Sequence, residues 1–387
     1  MKNIFIKNAE IVTDKRIISG NCFIENGKIG YIGDQSFNSE CVIDAKGAYL
    51  MPGFIDLHCH GGNGYEFMDA SLDEIGEIAQ FHLRHGTTTM LATTMASSEK
   101  ELNVALENLS RYKREKPGSS ILGIHLEGPW LNPMQCGAQN VKYMSLPDSK
   151  KLEELKKKFP LIMRASVAPE LPGGMEMGIM GRKLGILMSY AHTDADFTVI
   201  EKAFENGYAL ATHLYSGMNG VTRKNSFRTA GAVEAGLYMD GIIVEIIADG
   251  RHLPEELLKY VYKIKGADGI CLITDAIRAA GMKNGSKTVI GSFANGIPVI
   301  VEDDVAKLPD RQSFAGSATT FDRMIKIMAH AIDNDAVALA KMSATTPAKV
   351  LGLTDTGVIE TGKDADIVLL DRDWCLNKVI YKGEIVG

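Results

Sequence analysis

The residue types that bind cations and move protons stand, in this chain, at the ends of short apolar runs. The run Ile55-Asp56-Leu57 closes in His58-Cys59-His60, and an i, i+2 spacing on a strand turns both imidazoles to one face. Such a pair can chelate one cation, although a bare HxH is a weak signal by itself. Further runs end in His125-Leu126-Glu127-Gly128-Pro129-Trp130, Ala191-His192-Thr193-Asp194, Thr212-His213-Leu214 and Ile273-Thr274-Asp275-Ala276. A carboxylate can bridge two cations, so Glu127 can be shared by one held with His58 and His60 and another held with His192 and His213. Asp275 adds a second carboxylate, and together these positions predict a metal site.

For five separate runs to meet, the elements carrying them must converge. From Met51 to about Leu353 apolar strands alternate with amphipathic helices. The strand candidates are Gly53 to Cys59, Thr87 to Ala92, Ile121 to Glu127, Ile162 to Ala168, Leu187 to Ala191, Ala209 to His213, Ile242 to Ile247 and Gly269 to Thr274. Eight strands with helices such as Leu72 to His85, Lys150 to Lys158 and Thr198 to Asn206 between them predict an α/β fold of the (β/α)₈ TIM-barrel type. Catalytic groups of that fold gather at the C-terminal ends of its strands, where the histidines and carboxylates stand. His252, in the rim loop after strand seven, is expected to touch substrate. His125 lies one layer deeper and is expected to fill the interior. His82 and His85, near a helix C-terminus, and His330 are expected to be structural, with the first two suited as cations to the helix dipole.

Both ends of the chain are β in texture: Ile4 to Val12, Cys22 to Ile24, Ile29 to Ile32 and Cys41 to Asp44 at the start, Asp366 to Leu370 and Lys378 to Tyr381 in the tail. Asn26-Gly27 marks a hairpin turn. Residues 1–50 and 354–387 are therefore expected to form one small β-sandwich beside a barrel of residues 51–353. An interruption from Lys287 to Leu308 reads as a hairpin, and helical texture returns at Thr320 to Asp333 and Val337 to Thr345.

The 387 residues carry 42 Lys+Arg against 48 Asp+Glu, with 45% hydrophobic residues, which suits a globular protein and excludes disordered or disulfide-scaffold classes. The mild acidity gives no general attraction for nucleic acid or anionic membranes. No apolar run approaches the roughly 18–20 residues of a membrane span, and the N-terminus lacks a signal-peptide block, so a cytoplasmic location is expected. Six scattered cysteines without a CxxC pair are expected to be reduced.

Taken together, Pro52-Gly53-Phe54-Ile55-Asp56-Leu57-His58-Cys59-His60-Gly61-Gly62, His125-Leu126-Glu127-Gly128-Pro129, Ala191-His192-Thr193, Thr212-His213-Leu214-Tyr215, Asp249-Gly250-Arg251-His252, Thr274-Asp275-Ala276 and Ala315-Gly316-Ser317 resemble the amidohydrolase superfamily. Within it they are similar to the N-acetylglucosamine-6-phosphate deacetylase family. The resemblance implies that Glu127, His192 and His213 hold a principal divalent metal, that His58 and His60 can hold a second, and that Asp275 is the acid and base. Zinc is the first expectation, with iron, manganese or cobalt able to take the same ligands. It further implies a homodimer, an amino-sugar substrate, and sugar contacts from His252, Phe314, Ala315 and Gly316.

The substrate segments depart from the family pattern. Its Gly-Ala-His is here Gly137-Ala138-Gln139, its Asn-Ala is Ser216-Gly217, and its Arg-Glu-Pro-Gly is replaced by Phe227-Arg228-Thr229-Ala230-Gly231, which makes Arg228 the counterpart of a phosphate-binding arginine when aligned on Gly231. Arg223 and Lys224 stand close by as further donors. The expected reaction is hydrolysis of the N-acetyl group of an amino sugar, N-acetylglucosamine 6-phosphate first, with hydrolysis of another N-acyl compound as the alternative. A barrel without activity, serving as an assembly module, is opposed by the intact set of site residues.

Overall fold

The computed structural model describes residues 2–116 and 118–386; Met1 and Gly387, the outer ends of the two terminal segments, and Pro117 lie outside the described residues. Eight parallel strands form the centre: Phe54–Cys59, Thr87–Thr93, Ile121–Glu127, Ile162–Val167, Leu187–Tyr190, Tyr208–Ala211, Ile243–Ile246 and Ile270–Leu272. They neighbour one another in chain order, and a Cys59–Ala276 bridge joins the first strand to the segment leaving the eighth. Helices follow each strand, the first two begun by Ser71/Glu74 and Ser98/Glu101 capping boxes. The strands are buried on both faces, which is why they read as continuous apolar runs in sequence.

Five strands end earlier than expected, three of them at a left-handed turn. His192, His213 and Asp275 have φ of 43°, 32° and 49°, in the left-handed region that breaks strand geometry. The chain therefore leaves the sheet before each of these residues, and the turn aims their side chains over the barrel mouth. Such conformations cost on the order of 1–3 kcal/mol each, a strain typical of functional positions.

The barrel interior below the mouth is polar. Arg164 and Glu245 are both fully buried and paired, with 2.8 Å between Nη2 and Oε2. Arg164 also donates to the Leu57 carbonyl at 3.0 Å and to Thr212 Oγ1 at 2.9 Å. Burial opposes the Glu245 charge, but Arg164 holds its carboxyl below the usual range.

The two chain ends share one eight-stranded mixed sheet. It runs Glu384–Val386, Leu376–Tyr381, Ile367–Leu370, Tyr49–Pro52, Ile4–Val12, Ile17–Glu25 and Lys28–Gly33, with Cys41–Asp44 paired to Ile4–Val12. Alternation along its strands serves two cores: Ile11, Leu50, Ile367 and Leu369 enter the sheet's own core, while Val12, Met51, Val368 and Leu370 join that of the barrel. Asn26 and Gly27 both have positive φ, as the expected hairpin turn requires. The Lys287 to Leu308 segment is a three-stranded antiparallel sheet and not a simple hairpin, because Val305–Lys307 adds to Ile297–Glu302. All six cysteines are free, and no helix among the described residues is long and apolar enough to cross a membrane.

Candidate active site

The first barrel strand delivers His58 and His60 with Nε2 atoms 3.1 Å apart. Cys59 faces the other way, its sulfur 3.3 Å from His82 Nε2. The third strand delivers Glu127, 2% exposed, between the two histidine pairs. Its Oε1 lies 2.9 Å from His213 Nε2 and 3.4 Å from His192 Nε2. Its Oε2 lies 3.2 Å from His60 Nε2 and 3.5 Å from His58 Nε2. Asp275 completes the group, with Oδ1 3.3 Å from His58 Nε2 and 3.2 Å from His60 Nε2.

Two carboxylates buried in this way demand positive charge. Burial works against imidazolium, yet Glu127 and Asp275 push His58 up to about 9, and the same carboxylates push His60 up to about 10. The carboxyls move oppositely: burial would raise them, but the imidazoles hold Glu127 well below and Asp275 below the ordinary carboxylate range. A divalent cation satisfies the same demand, and imidazole nitrogens with carboxylate oxygens suit it chemically. The donor atoms of His58, Glu127 and His213, and those of His58, His60 and Asp275, lie within 4.8 Å of one another.

Surrounding contacts fix the donors. His192 Nδ1 faces the Gln135 carbonyl at 2.7 Å, which leaves Nε2 to face Glu127. Asp275 N donates to the His58 carbonyl at 2.9 Å, tying the first and eighth strands at the site itself. Asp56, whose spacing carries no signal of this role, strengthens that tie by accepting from Thr274 Oγ1 at 2.5 Å. His125 is fully buried, against Ser166 Oγ at 2.7 Å, and fills the interior as expected.

A cavity of about 210 Å³ opens above the cluster, and Ala138, Gln139, Ser216, Gly217, His252, Phe314 and Gly316 line it with the site histidines and carboxylates. His252 Nδ1 is 2.8 Å from Asp249 Oδ2, a second partner unread in the sequence, and its ring rests on Phe314. Gly316 has φ of 53°, and a Cβ there would come within 2.6 Å of Ile277, so glycine alone lets this backbone pass beside Asp275. Ala315 is buried behind the lining, its N–H donating to the Ala306 carbonyl. Arg228 is not brought to the cavity: it pairs with Arg223 on an exposed hairpin of Thr222–Lys224 and Phe227–Thr229.

His82 corrects the expectation of a helix-terminal cation. It is fully buried with Nε2 2.8 Å from the Gly61 carbonyl, and burial lowers it to about 4. The unfolded chain takes up this proton below about 6.5 and the folded chain does not until about 4, so His82 costs stability as pH falls through that window. His82→Gln is expected to flatten the loss of the urea midpoint between pH 6.5 and 4; a wild-type pH profile in the variant would contradict this.

A parallel eight-stranded barrel with histidines and carboxylates at the C-terminal ends of its strands is the architecture of the metal-dependent amidohydrolases, and the amidohydrolase family model matches residues 49–386. N-acetylglucosamine-6-phosphate deacetylase of Lysinibacillus sphaericus is 33% identical, over 99% of this chain and 97% of the relative. The crystal structure of N-acetylglucosamine-6-phosphate deacetylase from Thermotoga maritima superposes with a TM-score of 0.88 at 33% identity, covering 99% of both chains. A mutant of the Mycobacterium smegmatis enzyme in complex with N-acetyl-D-glucosamine-6-phosphate gives 0.91 at 26% identity over the whole of both chains. The chain belongs to the amidohydrolase family and, within it, to the N-acetylglucosamine-6-phosphate deacetylases, and it is a hydrolytic enzyme.

Proposed function

We infer that this enzyme hydrolyses the N-acetyl group of N-acetylglucosamine 6-phosphate to glucosamine 6-phosphate and acetate. The observation that carries the reading is Glu127, whose two oxygens are divided between two histidine pairs beside Asp275 on the floor of a sugar-sized cavity. Glu127, His192 and His213 would hold the principal divalent cation, zinc first, and His58 and His60 a second. Bound there, the cation supplies Lewis acidity that acidifies water and polarises the amide carbonyl. Asp275, with Oδ1 beside His58 and His60, accepts the proton of the attacking water and returns it to the amine as the carbon–nitrogen bond breaks. His252 and the Phe314 to Gly316 segment orient the sugar.

The second reading, hydrolysis of an N-acyl compound without phosphate, is favoured by one observation: among the described residues lining the cavity none is Lys or Arg. Arg228 with Arg223 and Lys224 is the basic cluster proposed for the anionic end. The working assembly is proposed to be a homodimer in the cytoplasm, the dimer supported by the exposed Val221 and Phe227 of that hairpin segment. Residues 1–50 with 354–387, and 51–353, are proposed as its two structural units.

Acetate release tests the reading. Charge-assisted hydrogen bonds contribute about 1.5–3 kcal/mol, and about 1.4 kcal/mol is a factor of ten, so kcat/KM should favour the phosphorylated sugar by at least tenfold. Arg228→Ala should remove much of that preference. Equal wild-type rates on both sugars would select the second reading, and full activity after chelation would overturn the metal site.

A further inference from the structure

The structure assigns Gln139 to the metal ligand Glu127: we propose that it is the positioning residue that fixes the Glu127 carboxylate and so sets the affinity for the cation. The inference rests on the metal reading above. Gln139 is 4% exposed, and its amide is bonded at both ends. The Ala96 N–H donates to Oε1 at 2.9 Å, and Nε2 donates to Glu127 Oε2 at 2.7 Å. The amide cannot be reversed, since a backbone N–H only donates and must face the oxygen; Nε2 is thereby committed to Glu127.

What makes this contact different from the other four is its behaviour on metal binding. Imidazoles of His58, His60, His192 and His213 approach Glu127 through Nε2. To ligate a cation through that nitrogen an imidazole must present a lone pair, so none of these four can then donate a hydrogen to the carboxylate through it. Gln139 carries its amide hydrogens at any pH and any metal load. Of these five neighbours of Glu127, it alone can still donate once the cation is bound, and it acts on Oε2 while Oε1 faces His192 and His213. Through Ala96 it anchors the carboxylate to the loop after the second strand, which supplies none of the proposed ligands.

Outer hydrogen bonds of this kind are worth about 10–100-fold in metal affinity. The test is zinc titration of chelator-stripped enzyme, wild type against Gln139→Met and Gln139→Ala, with a chromophoric chelator as competitor and the urea midpoint of each stripped protein measured alongside. Met keeps the length of the side chain and removes the donor. Both variants are expected to bind zinc about 10–100-fold more weakly than wild type. If Gln139→Met is folded and keeps the wild-type zinc affinity, whatever its urea midpoint, Gln139 is packing and the proposal is overturned. Wild-type enzyme that takes up no zinc overturns the metal reading itself, and this inference with it; the two failures are distinguished by the wild-type titration.

Discussion

Asp275→Asn is expected to lower kcat by about 10²–10⁴-fold, the usual contribution of a general acid or base, while the protein stays folded and keeps its metal. The side-chain amide has nearly the same volume but cannot take a proton from water and return it to the amine. Position is preserved for a separate reason: Asp275 is fixed by its backbone, donating to the His58 carbonyl and accepting from Ser317 N–H at 2.7 Å, and neither contact uses the carboxylate. The loss should therefore fall on kcat more than on KM. Turnover at the wild-type rate in a variant with normal metal content would show that another residue carries the proton.

Removing Arg164 should be the most damaging single change to stability. Glu245 would be left fully buried with its counter-charge gone, and breaking a buried pair from one side costs about 3–5 kcal/mol. Arg164→Met is expected to shift urea unfolding by that amount. Replacing both partners, as Arg164→Met with Glu245→Leu, should recover most of it, because the penalty lies in the stranded charge and not in the missing bond. A single variant within about 1 kcal/mol of wild type would mean that water or another cation reaches Glu245. The pair also lies below the site, with Glu245 Oε2 3.9 Å from His58 Nδ1, so the doubly substituted enzyme reports whether that polar layer steadies His58.

The eight barrel strands were legible because burial on both faces writes them as apolar runs, and the five proposed ligands with Asp275 were legible because each closes such a run. The strand ends were not, since left-handed turns at His192, His213 and Asp275 leave no periodic trace. Nor was Tyr49–Pro52 recognised as a strand of the terminal sheet, because both of its neighbours are distant in sequence. His82 was misjudged from its place near the helix end, although Ile75, Ile78 and Ala79 lie on the same stripe and could have marked it as buried. The Asp249–His252 and Gln139–Glu127 pairs join residues through loop geometry that spacing does not encode. Arg228 could be aligned by its neighbour Gly231, but alignment does not say that it stands on an exposed hairpin outside the cavity lining.

The shared terminal sheet sets a waiting time during synthesis. Tyr49–Pro52 leaves the ribosome early, with Ile4–Val12 available on one side and Ile367–Leu370 not yet made on the other. At about 5–20 residues per second, the intervening roughly 300 residues take on the order of 15–60 s. Throughout that interval an apolar strand edge stands open to pairing with other nascent chains. A chaperone that shields this edge, or slow expression at low temperature, should therefore raise soluble yield more than any change at the barrel mouth, and a chain halted before Ile367 should aggregate even with all its proposed metal ligands present.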